Sequence, residues 1–168
     1  QPSNASTQKA NSRTAVRESS VEPAATVKIN VNSALRFYLE VNDPVVDAPA
    51  IGPKTAERLN AVDIYTVAHL LEADPASLAA RLDDRRIKRD TIEQWQLQAQ
   101  LVCRIPNLRG HDAQIIVACG VEDPVTLSAL DPVSFLETVT AFVDSKEGQR
   151  VVRNGKLPDL AEVTAWIE

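Results

Sequence analysis

The chain has 168 residues and a net charge of −5; 44% of it is hydrophobic, only 4% is aromatic, and it contains no methionine. That is enough apolar content for one ordinary domain with a core of Leu, Val, Ile and Ala, and no apolar run approaches the ~20 residues of a membrane span. Residues 35–168 carry 14 basic and 21 acidic groups, a net of −7, which excludes general affinity for polyphosphates unless positive charge is gathered on one face.

Beginning at Gln1 without a methionine, the chain reads as a fragment or a processed protein. Residues 1–34 are rich in Ser, Asn, Thr, Gln and Ala, lack apolar periodicity, and read as a disordered tail or linker. An Asn4-Ala5-Ser6 acceptor triplet lies in this tail with no other secretory mark beside it. From Leu35 the apolar residues Leu35, Phe37, Leu39 and Val41 alternate with Arg36, Tyr38 and Glu40, the period of an extended segment with one buried face. Asp43-Pro44 marks the turn that ends it.

Everything afterwards reads as short helices between turn signals, so the expected class is all-α over residues 35–168. Gly52-Pro53 predicts a helix over 53–61, because a first-turn proline loses no hydrogen bond there. Thr66 caps a second helix through Leu71, and Asp74-Pro75 a third over 75–82. Asp90-Thr-Ile-Glu93 has capping-box spacing and opens a longer connector helix to about Cys103. Near the C-terminus, Ser145 caps a helix that ends near Gly155. Pro158 starts a last one, with Leu160, Val163, Trp166 and Ile167 on one face.

The second half repeats the first at an offset of 57 residues. Pro49 and Pro106, Ala56 and Ala113, Ala61 and Ala118, Asp74 and Asp131, and Pro75 and Pro132 are identical pairs. Ile51 matches Leu108, Leu59 matches Ile116, Ile64 matches Val121 and Leu70 matches Leu127 in apolar character. An ungapped duplication accounts for both sets, with two copies of one helical unit flanking the connector.

The stretch Ala50-Ile51-Gly52-Pro53 has the parts of a tight turn between two short helices: a small residue, an apolar plug and a helix start. Free N–H groups and the positive dipole end at such a start can hold a phosphate oxygen, and Lys54 adds a charge-assisted contact. The pattern apolar-Gly-Pro-Lys-Thr-Ala, followed by Leu59 and Ile64–Leu71, resembles a helix-hairpin-helix motif. Two such motifs joined by a helix look like the tandem form found in DNA repair and recombination proteins. The run from about Arg36 to Ile167 is similar to a bacterial domain-of-unknown-function family containing tandem helix-hairpin-helix units. The resemblance implies an all-helical fold and nucleic-acid contact through hairpin backbone amides.

The sequence departs from the DNA-binding pattern in its glycines. Ala50 replaces the first glycine of the usual turn, which a Cβ tolerates only with ordinary backbone angles. The second copy reads Asn107-Leu108-Arg109, with Gly110 one place later. There Arg109 and His111 supply side-chain contacts in place of amides, or the turn is purely structural. Asp63 stands where the pattern often has glycine, and its counterpart Gly120 suits a helix end.

Arg85, Arg86, Lys88 and Arg89 form the densest positive run. It is either a phosphate-contacting patch or a solvated loop balanced by Asp83, Asp84 and Asp90. Lys146, Arg150, Arg153 and Lys156 read as a wet helix face. Cys103 and Cys119 are sixteen residues apart, a spacing of neither a metal pair nor a disulfide framework, and read as small hydrophobes in a reducing, cytoplasmic compartment. His69, among Ala68, Leu70 and Leu71, reads as a helix-surface or half-buried residue. No glycine-rich nucleotide loop, metal spacing or carboxylate pair is present, so no catalytic residue, metal or cofactor is expected.

Two readings stand: sequence-nonspecific nucleic-acid binding, or a protein-interaction scaffold whose hairpins merely pack. The first would use Ile51, Gly52, Lys54, Thr55, Arg85, Arg86, Lys88, Arg89, Arg109, Gly110 and His111, and DNA is its foremost ligand. The −7 charge, the missing turn glycines and the extended segment favour the second. No membrane partner is expected under either.

Overall fold

The computed structural model describes residues 35–153 and 155–168. The tail read over 1–34 and its Asn4 triplet lie outside the described residues. Contacts divide the chain into Gln1–Arg36 and Phe37–Glu168, and the second unit holds all the elements below. It is all-helical, and no described helix is long and apolar enough to cross a membrane.

After a single 3₁₀ turn at Val45–Asp47 come nine α-helices among the described residues. They are α1 (Pro53–Asn60), α2 (Val67–Glu72), α3 (Pro75–Leu82), α4 (Arg89–Arg104) and α5 (Gly110–Ala118), then α6 (Pro124–Ser128), α7 (Pro132–Val143), α8 (Lys146–Val152) and α9 (Leu160–Ile167). Most starts follow from local chemistry. Thr66, Asp74, Asp123, Asp131, Ser145 and Asp159 each accept a backbone N–H of the first turn, a contact worth about 1 kcal/mol apiece.

The repeat is visible in the backbone. Helices α5, α6, α7 and α8 begin 57 residues after α1, α2, α3 and α4: at 110, 124, 132 and 146 against 53, 67, 75 and 89. Loop hydrogen bonds recur at the same offset. The Ile64 N–H donates to the Leu59 carbonyl at 3.0 Å and the Val121 N–H to that of Ile116 at 3.2 Å. Each closes its helix around a left-handed residue, Asp63 (φ 66°) in one copy and Gly120 (φ 89°) in the other. The long helix read as a connector therefore has its own counterpart in the shorter α8.

One apolar cluster runs through the unit and is filled by matched pairs: Ile51 with Leu108, Ala56 with Ala113, Leu59 with Ile116 and Leu70 with Leu127 are all buried. Truncating a fully buried member such as Leu59 to alanine costs about 2–5 kcal/mol. Helix α4 packs against α2, α3 and α5, while α7 takes α5, α8 and α9. Trp166 on α9 is buried, so the last helix is docked.

Three expectations change. The segment 35–41 forms no strand, and of its alternating apolar residues only Leu39 is buried, with Phe37 and Val41 exposed. Among the described residues no neighbouring strand gives the segment a second face. The chain is pinned just afterwards, where the Val67 and Ala68 N–H groups donate to the Asp43 and Val41 carbonyls at 3.0 and 2.8 Å. Helix α4 starts at Arg89 rather than after Asp90, because the Thr91 hydroxyl takes the Lys88 N–H at 3.3 Å and draws the start two residues back. The last helix starts at Leu160 rather than at Pro158, with Asp159 as its cap exchanging bonds with Glu162. Leu160 is left exposed rather than on the buried face.

Candidate functional site

The first turn buries Pro49 and Ile51 and turns Ala50 outward. Ala50 has φ 63°, inside the left-handed region, which overturns the expectation of ordinary angles. Asn107, its match in the second turn, has the same φ of 63°. The glycine-like bend is therefore kept in both copies by residues that pay for it with strain, less in Asn107, whose short polar side chain tolerates the region. Gly52, in contrast, is extended at φ −88°, and a Cβ built on it would meet nothing within 4 Å. Neither backbone nor packing demands glycine there; Arg109 occupies the equivalent place.

The two turns abut. A Cβ on Gly110, the first residue of α5, would lie 3.5 Å from the Pro49 side chain, so the start of α5 packs on the first turn. Lys54 and Arg109 are exposed, and Thr55 is half-buried.

Among the nine helices, three starts lack a side-chain acceptor at the cap: Gly52 of α1, Lys88 of α4 and Arg109 of α5. These are the starts beside which the expected basic residues fall. Their first-turn N–H groups have no intrahelical partner and carry the positive end of the helix dipole. The α1 start is the most open. Thr91 takes the Lys88 N–H, and the buried Asp112 takes the Arg109 N–H at 3.2 Å, whereas nothing equivalent closes over Gly52.

Asp112 also changes the chemistry of the second turn. Its other oxygen lies 2.9 Å from Nε2 of the exposed His111, and this hydrogen bond raises the His111 pKa above 6.5. A carboxylate at the third position of α5 thus occupies the positive end of that helix and competes with any incoming anion. His111 offsets it when protonated.

The basic loop is partly neutralised. Arg89 pairs with Glu93 at 2.8 Å rather than with Asp83, Asp84 or Asp90. Asp84 pairs instead with Arg58 and accepts the Arg86 N–H at 2.8 Å. Arg85, Arg86 and Lys88 are exposed around the buried Ile87. His69 is exposed and its Nδ1 accepts the Tyr65 N–H at 3.2 Å, a local structural role. Both thiols are half-buried, and desolvation raises their pKa values, that of Cys119 to about 11. A thiolate is disfavoured at each. The described residues contain no group of three or more His, Cys, Asp and Glu side chains able to hold a metal.

Sequence reasoning missed the residues that face the first turn across space. A groove of about 580 Å³ runs between Ala50–Gly52 and α8 and is flanked by Arg150 and Arg153. Their spacing marked one helix face, but nothing in the sequence said which turn that face would meet. Asp112 falls in the first turn of α5, and nothing in the sequence marked its burial.

No curated protein and no solved structure matches this chain. One family does: the model described as a domain of unknown function (DUF4332) matches residues 49–168, from the first turn through the last helix, and the chain belongs to that family.

Proposed function

We propose that this chain is a non-enzymatic nucleic-acid-binding module built of two helix-hairpin-helix units, which holds backbone phosphates, foremost those of DNA, at the starts of α1 and α5. One observation carries the reading: the three helix starts without a side-chain cap are those flanked by Lys54, by Arg85, Arg86 and Lys88, and by Arg109 and His111. An anion there gains unpartnered N–H donors and a dipole end together. The contact of Gly110 with Pro49 supports two neighbouring phosphates being met by adjacent turns. The first turn is the stronger site, since Asp112 opposes an anion at the second. Binding is independent of base sequence along a duplex, and the two free thiols suit a reducing compartment such as the cytoplasm.

The test is a titration of labelled duplex DNA, followed by anisotropy across a range of salt, with the wild type and Lys54→Glu. The variant is expected to weaken binding and to flatten the dependence of log affinity on log salt by about 0.9, the share of one phosphate contact. No binding of duplex DNA at low salt sinks the reading.

A protein-docking scaffold is the second reading, favoured by the exposed Phe37, Tyr38 and Val41. Unchanged DNA affinity in Lys54→Glu, together with a protein partner lost in Phe37→Ser, would favour it over the first.

A further inference from the structure

The groove beside the first turn has a chemistry that phosphate alone does not explain. Its wider part, about 580 Å³, brings the open start of α1 opposite Arg150 and Arg153. A second part of about 370 Å³ continues from it, sharing Ala50, Gln114, Glu147 and Val151 as walls. This second part is lined by Asp90, Trp95 and Gln98. Gln98 is only 7% exposed and its Oε1 has no hydrogen-bond partner. Leaving such an acceptor unmet in a packed interior is costly, and a terminal carboxamide torsion is soft enough to turn its acceptor toward a donor in the groove.

The groove is therefore polarised. One end offers the open cap of α1 at Gly52 and two guanidinium groups; the Glu147 carboxylate stands between the ends; the other end adds the carboxylate of Asp90, an unmet carboxamide oxygen and the indole of Trp95. A simple anion satisfies only the first end, where the two arginines outnumber Glu147, and Asp90 repels it from the second. The fitting ligand has an anionic head and, a few atoms away, a flat apolar body bearing N–H donors. The combined size falls in the range of small-molecule sites.

We infer that this groove binds one unpaired nucleotide with an amino-bearing base, its phosphate between the α1 start and Arg150 and Arg153, its base edge donating to Gln98 beside Trp95. The inference rests on the phosphate reading above for one of its two sources, a nucleotide in a strand; a free nucleotide is the other. In a strand, the groove adds a preference for helices interrupted by an unpaired base, where such a base is already free of its stack.

The experiment compares an intact duplex with the same duplex carrying one unpaired adenine, using wild type, Gln98→Leu and the double variant Arg150→Gln/Arg153→Gln. Adenosine monophosphate and inorganic phosphate serve as competitors. Wild type is expected to favour the interrupted duplex by about tenfold, the size of one or two good hydrogen bonds. Gln98→Leu should erase that preference and keep the affinity for intact duplex, while the double variant weakens the interrupted duplex most. Gln98→Leu replaces an oxygen that has no partner to lose, and circular dichroism checks that it folds. Equal affinity for the two duplexes, unchanged by Gln98→Leu, overturns the groove and leaves the phosphate reading standing. Binding of adenosine monophosphate, lost in Gln98→Leu, with no affinity for either duplex upholds the groove and overturns the nucleic-acid reading. Binding of neither overturns both.

Discussion

Ala50→Gly should stabilise the protein, although glycine usually weakens one. An L-residue with a Cβ held at φ 63° is strained by about 1–2 kcal/mol. Removing the Cβ releases that strain but frees the unfolded chain, which costs about 0.4–1 kcal/mol. The difference is a gain of roughly 0.5–1 kcal/mol by the same two magnitudes. Urea denaturation followed by circular dichroism reads it as a higher midpoint at unchanged slope. Gly120→Ala is the converse control. Its φ is 89° and a Cβ there would touch nothing within 4 Å, so its loss of stability, again about 0.5–1 kcal/mol, is backbone strain alone. A loss of stability in Ala50→Gly would refute the left-handed first turn, and with it the claim that both copies keep one bend without its glycine.

Gly148→Ala is expected to destabilise where an ordinary helix glycine would gain. A Cβ there would lie 2.1 Å from the Phe142 carbonyl oxygen and 2.6 Å from the Val143 Cα, both backbone; overpacking costs about 1–3 kcal/mol, read by thermal unfolding. His111 titrates with its pKa raised by Asp112, so the stability it contributes is complete below 6.5 and fades as pH rises through the raised value. The stability difference between wild type and His111→Gln should therefore shrink from about pH 5 to about pH 8, and an unchanged difference would disprove the ion pair. With its pKa pushed up to about 11, Cys119 should react with iodoacetamide at neutral pH far more slowly than an unfolded control, as mass spectrometry of the labelled chain would show.

The helix starts that were legible are those written in local chemistry. Thr66, Asp74 and Ser145 cap where their own side chains reach the backbone, whatever else the chain does. The duplication was legible for a related reason: matched residues such as Leu70 and Leu127 fill matched places in one core. What failed depended on partners elsewhere. Alternation over 35–41 promised a buried face, but burial needs a second surface, and only Leu39 finds one. Pro158 and Asp159 both suit a helix start, and the reach of Glu162 back to Asp159 decides between them. The candidate site divides in the same way. Lys54 and Arg109 could be placed at helix starts from the sequence, whereas the meeting of the first turn with Arg150 and Arg153 joins residues about a hundred positions apart along the chain.

The uncapped start of α1 has a consequence for how fast anything arrives there. Its N–H groups face no internal acceptor, so in the free protein their partners are water molecules. An arriving anion exchanges with solvent alone, and no capping contact has to break first. Capture would then be a one-step encounter whose rate rises with ligand concentration without a plateau, quickened by charge and slowed by salt. A start already closed by its own side chain, such as that of α2 or α3, would have to give up a bond before it could respond.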